Sequence, residues 1–190
     1  MKTKKIVSHQ VSAGIKGFRI FLGMFPIALA TFALIVGSGL AGPSMAPMKA
    51  TPEFEKVASL VGEWQGKSPD GKIANVSYAL VSDSSALMER LAIAGESEMV
   101  TMYYPDGDRL MMTHYCSAHN QPRMRSEKAS GEIKKIAFDL VDVTNLSAPD
   151  AGHMKKLVLT FPDQDHFSQE WTWTEKGKDG TVVIQFERKK

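Results

Sequence analysis

The chain has 190 residues, 43% of them hydrophobic, with 23 Lys and Arg against 21 Asp and Glu and a single cysteine. Five of the basic residues and none of the acidic ones lie in the first 41 positions, leaving 18 basic against 21 acidic side chains, a net charge of about −3. No concentrated basic surface is left to neutralise phosphates, which excludes nucleic acid as a partner, and one cysteine excludes an internal disulfide.

Lys2, Lys4, Lys5, Lys16 and Arg19 form a positive n-region, and Ile20 to Ala41 then runs without a charge. Gly39-Leu40-Ala41 supplies a small-x-small cleavage pattern before Gly42. Residues 1–41 therefore read as a signal peptide, and the protein as exported, periplasmic or secreted. The uncharged run is also long enough to cross a bilayer, so an uncleaved inner-membrane anchor is the alternative, with the leader as the only membrane contact. Residues 42–50, with Pro43 and Pro47, form a flexible tether, and residues 51–190 form one domain with one core.

Thr51 offers an N-cap, Pro52 suits the first helical position, and Glu53 and Glu55 complement the positive end of the dipole. Phe54, Val57 and Leu60 or Val61 share one face, and Gly62 can stop this short helix. Strand-like runs follow at Glu63 to Lys67, Ile73 to Val81, Ala86 to Ile93, Met99 to Tyr104, Arg109 to Cys116, Arg123 to Lys128, Glu132 to Val141, Met154 to Phe161, His166 to Glu175 and Thr181 to Arg188. Pro69-Asp70-Gly71-Lys72, Pro105-Asp106-Gly107-Asp108 and Lys176 to Gly180 mark hairpins. Asp142 to Gly152 is the longest loop. Phe167, Trp171 and Trp173 share a face opposite Ser168, Glu170, Thr172 and Thr174. The expected fold is all-β: an up-and-down antiparallel meander of about ten strands closed into a barrel, with a two-sheet sandwich as the alternative.

A short helix leading into Gly62-Glu63-Trp64 resembles the Gly-x-Trp start of lipocalins and related calycins. The order helix, Leu60 to Gly66, then about ten strands is also similar to nitrobindin-like and fatty-acid-binding-like barrels. Thr113-His114-Tyr115-Cys116 followed by Asn120-Gln121-Pro122-Arg123-Met124 resembles a motif in uncharacterised exported bacterial proteins. The resemblance runs from Thr51 onward and implies a barrel that binds a small apolar or amphipathic ligand. Nitrobindin-like proteins bind haem through a histidine near the C-terminal strands; His166 is the only one there, on the face opposite Phe167, Trp171 and Trp173.

The segment from Arg109 to Met124 carries the densest chemistry. His114 and Cys116 project to one face of a strand, and His119 follows in the loop. The three suit a transition metal such as zinc or copper, or a Cys–His nucleophile pair oriented by Asn120 or Gln121; in the plain alternative they pack beside Leu110 and Met112. Asn120, Gln121 and Arg123 form the polar exit of the loop and suit a ligand-contacting rim, Arg123 meeting a carboxylate. Glu89 shares a face with Leu87, Leu91 and Ile93; facing inward, it needs a partner, and Arg123 is the candidate. Trp171 and Trp173, with Met99, Met112 and Met154 among eleven methionines, suit an adaptable apolar cavity or plain core. The ligand-binding set is thus His114, Cys116, Asn120, Gln121, Arg123, Glu89, Trp171 and Trp173. No resident cofactor is expected, with haem or a metal as the alternative; a small barrel hydrolase or isomerase using His114 is a third reading. Cys116 leaves a monomer or a homodimer open.

Overall fold

The computed structural model describes residues 50–190; the leader and all of the tether but Ala50 lie outside the described residues. The first element, α1 (Pro52–Ala58), begins as its residues require. The Thr51 hydroxyl accepts from the Phe54 N–H at 3.2 Å, and Pro52 occupies a position whose amide would be unpaired. It ends at Ser59 rather than at Gly62, whose φ of +125° instead opens the first strand.

Ten strands follow: β1 (Gly62–Lys67), β2 (Ile73–Val81), β3 (Ala86–Ile93), β4 (Met99–Asp106), β5 (Arg109–Tyr115), β6 (Gln121–Ser126), β7 (Lys135–Thr144), β8 (His153–Thr160), β9 (His166–Glu175) and β10 (Lys178–Arg188). Each pairs antiparallel with its neighbours in sequence, and β1 pairs with β10, so the sheet closes with no free edge. The sandwich alternative is thereby overturned. The β9–β10 hairpin turns on two residues, Lys176 and Gly177, both at positive φ, and Lys178 pairs directly with Glu175; the two-residue turn matches the strand twist better than the five-residue connection expected. The Asp142–Gly152 loop is shorter than expected, because β7 continues to Thr144.

Alternate residues point inward, as the period of a strand demands. Trp64, Phe167 and Phe186 pack against one another, with ring centroids 4.8 and 4.9 Å apart, and the Trp64 indole donates to the Leu60 carbonyl at 2.7 Å. Phe54, Val57 and Leu60 of the helix segment join this cluster, so α1 plugs one end of the barrel. Gly66 allows β1 to meet β10, since a Cβ there would overlap the Gln185 backbone. Ten strands enclose a wider interior than the eight whose side chains just fill it. The helix fills that extra width at one end only.

Candidate functional site

The other end keeps a cavity of about 490 Å³. Strand ends and loops from around the barrel line it: Leu91 and Ile93 of β3, Met99 of β4, His114 of β5 with Cys116 just beyond, Met154 of β8, Trp171 and Trp173 of β9, and Ile184 of β10. Asp70 and Glu96 lie among its lining residues on the first and third hairpin loops, and Lys72 bridges them at 2.9 and 3.0 Å.

Sheet register builds the polar floor. Tyr78, Glu89, Thr101 and His114 are successive cross-strand partners from β2 to β5 and form one inward row. His114 and Glu89 are each 1% exposed. His114 Nδ1 lies 3.0 Å from Thr101 Oγ1, which lies 3.5 Å from Glu89 Oε1. The Tyr103 hydroxyl donates to Glu89 Oε2 at 2.7 Å, and Gln169 Nε2 donates to the same oxygen at 3.0 Å and to the Tyr78 hydroxyl at 2.8 Å. The Trp171 indole N–H donates to Gln169 Oε1 at 3.1 Å, and its ring lies 4.7 Å from the His114 ring. Burial pushes the Glu89 carboxyl up from the ordinary carboxylate range, and the donors from Tyr103, Tyr78, Gln169 and Thr101 oppose that rise. Burial alone pulls the His114 imidazolium down to a pKa of about 4, so the ring is neutral at ordinary pH. His114 Nε2 is buried and has no hydrogen-bond partner among the described residues.

The eight side chains singled out by sequence divide. His114, Cys116, Trp171 and Trp173 line the cavity, and Glu89 lies beneath it. Asn120 is buried but acts on a loop: its amide donates to the Gly152 carbonyl at 2.9 Å. Gly152 in turn lies so close to Trp173 that a Cβ would overlap the indole. Gln121 is paired with Thr144 on the outside of the barrel, at 2.9 Å. Arg123 is exposed and forms a forked ion pair with Asp142 across β6 and β7. The expected Arg123–Glu89 pair is therefore corrected: the two point to opposite sides of the sheet, and neutral donors surround Glu89 instead. Tyr78, Thr101, Tyr103 and Gln169 went unrecognised. Gln169 could have been found, since it alternates with Phe167 and Trp171 on the inward face of β9.

His119 is exposed, at positive φ in the β5–β6 loop, and does not join His114 and Cys116. Among the described residues no group of three or more His, Cys, Asp or Glu side chains could hold a metal ion. His166 is exposed outside the barrel, with Nδ1 2.9 Å from Asp163 Oδ1, so it does not fit an axial haem ligand in the cavity. His114, with one unpartnered nitrogen in an apolar chamber, is the residue that would.

No protein-family model matches the chain, and no curated protein matches it in sequence. Among solved structures, Rv2717c from M. tuberculosis superposes with a TM-score of 0.52 at 14% identity, covering 75% of this chain and all of that one. A protein of unknown function from the DUF3598 family of Nostoc punctiforme gives a TM-score of 0.40 at 13% identity, over 70% of this chain and 49% of that one. At such identities the first likeness shows a shared barrel fold.

Proposed function

We propose that this chain is an exported, calycin-like barrel that binds a small apolar or amphipathic molecule in the cavity at the end opposite α1. The observation that carries this reading is the cavity itself: about 490 Å³, largely apolar, and floored by a buried imidazole with a free nitrogen. That volume lies within the ordinary range for small-molecule sites, which combine apolar walls with a few placed polar groups. Met99 and Met154 give the walls adaptability. Binding is favoured over catalysis because a histidine held near pKa 4 is a weak general base at neutral pH.

The test is a titration of the purified protein with N-phenyl-1-naphthylamine, a neutral apolar fluorophore, reading its enhancement and the quenching of Trp171 and Trp173. Saturable binding at one molecule per chain is expected, and Ile93→Trp, which fills the cavity from its wall, should abolish it. Absence of binding, or binding that survives Ile93→Trp, would overturn the reading. Native mass spectrometry on protein from the exported fraction would identify a natural cargo, and a mass starting near Gly42 would establish cleavage of the leader.

A second reading rests on the same His114 Nε2: its lone pair could hold haem iron as an axial ligand, with the apolar chamber around the ring. Haem added to the purified protein would then give a Soret band that is absent in His114→Gln.

A further inference from the structure

Given a ligand cavity at this end of the barrel, we infer that its occupant is neutral and presents a hydroxyl hydrogen to His114 Nε2, so that the site takes an apolar alcohol or phenol and not a carboxylate.

Donor and acceptor counting gives the direction of each hydrogen bond. The Trp171 indole can only donate, so the Gln169 amide oxygen faces it and the Gln169 nitrogen faces Glu89 and Tyr78. Tyr78, accepting from Gln169, keeps its own hydrogen for Glu89, and Tyr103 donates to Glu89 as well. Three donors thus converge on Glu89, the arrangement that favours its carboxylate form against the rise that burial imposes. With Glu89 ionised, the Thr101 hydroxyl, 3.5 Å from Oε1, gives its hydrogen to that oxygen. Its oxygen remains to accept, and the only neighbour left to donate is His114 Nδ1–H. A neutral imidazole protonated on Nδ1 carries a lone pair on Nε2. No side chain or backbone group among the described residues satisfies that lone pair, and a buried acceptor left unmatched is costly.

The charge around the cavity excludes an anion. Among the described residues no lysine or arginine lines it; the charged ones that do, Asp70 and Glu96, are both acidic, and Lys72 is already shared between them. Arg123, the cation expected from sequence, belongs to the outer face. A carboxylate ligand would have to desolvate against a lone pair and two carboxylates.

Three probes of nearly one shape separate the possibilities: 2-naphthol, 2-methoxynaphthalene and 2-naphthoate, each titrated by tryptophan quenching. 2-Naphthol is expected to bind about tenfold more tightly than 2-methoxynaphthalene, the value of one net hydrogen bond, and 2-naphthoate more weakly than either. Glu89→Gln keeps the shape but places an amide donor toward Thr101, turning its hydroxyl toward Nδ1 and leaving Nε2 as N–H. In that variant, checked for folding by circular dichroism, the naphthol preference should fall to near parity. Equal binding of naphthol and methoxynaphthalene by the wild-type protein would overturn the inference, as would tightest binding of naphthoate, while the cavity reading stood. Naphthol preference unchanged in Glu89→Gln would overturn the relay through Thr101. Failure of all three probes to bind would count against the ligand cavity itself.

Discussion

His114 and Glu89 stand in one cross-strand row, two strands apart, with a single oxygen, Thr101 Oγ1, between them at 3.0 and 3.5 Å. Strand pairing alone brings them together, because inward residues on adjacent strands of a barrel fall directly opposite each other. The cavity floor and the buried carboxylate are therefore one hydrogen-bonded unit.

Thr101→Val should expose that coupling. Valine matches threonine in shape but removes the shared oxygen, leaving His114 Nδ1 without a partner and Glu89 with one donor fewer. The expected loss is about 1–3 kcal/mol of unfolding free energy, measured by urea titration, with Thr101→Ser recovering most of it. If valine proves neutral, the row is held by packing and not by the hydroxyl.

Arg123→Ala should do little. The Arg123–Asp142 pair is exposed on both sides, and exposed pairs contribute about 0–1 kcal/mol. Probe affinity should be unchanged, because the guanidinium lies outside the wall that separates it from the cavity. A tenfold loss of N-phenyl-1-naphthylamine affinity would place Arg123 back at the site.

The contrast between Arg123 and Glu89 shows what was legible in the chain. Turn residues such as Asp106-Gly107 and clean alternation in β9 located the strands and the inward face of Phe167 and Trp171. Glu89 shares a face with Leu87 and Leu91, which left both its inward and its outward placement open, and the structure buries it. Faces were illegible where the register slips: around Arg123 and Met124 the pairing skips Val141, and between Met154 and Lys156 it skips Lys155. Each bulge inserts one residue and reverses the alternation beyond it, so Met154 and Leu157, three apart, both face inward. The relay of Tyr78, Thr101 and Gln169 depends on register across strands far apart in the chain, which no local pattern carries.

Gly152→Ala should reshape the cavity without a large change in fold. A methyl group there overlaps the Trp173 indole, and Trp173, only half-buried, can yield toward the mouth. Asn120 holds the same loop through the Gly152 carbonyl, so the loop is the less able of the two to move. A shifted tryptophan emission spectrum and about tenfold weaker probe binding are expected, with a stability loss within the 1–3 kcal/mol range of overpacking. Unaltered emission would mean that the loop, and not Trp173, gives way.

Acid should destabilise the protein through His114. Its folded pKa of about 4 lies below the ordinary 6.5, so between those values the unfolded chain takes up a proton that the folded one refuses. Stability is then complete above pH 6.5 and falls as the pH drops toward 4, by about 3 kcal/mol if the shift is fully expressed. Glu89 works in the opposite sense: its carboxyl is raised by burial, so its contribution is present at low pH and is lost as the pH rises through its folded value. The wild-type curve is therefore the sum of two opposed slopes, and the difference between wild type and His114→Gln reports the histidine together with any change its loss causes in Glu89 through Thr101. Urea unfolding of the two proteins at intervals from pH 7 to pH 4 should show the wild-type advantage shrinking by about 3 kcal/mol. A difference that stays flat over that range would mean that His114 takes up its proton in the folded state as readily as in the unfolded one, and that water reaches the ring.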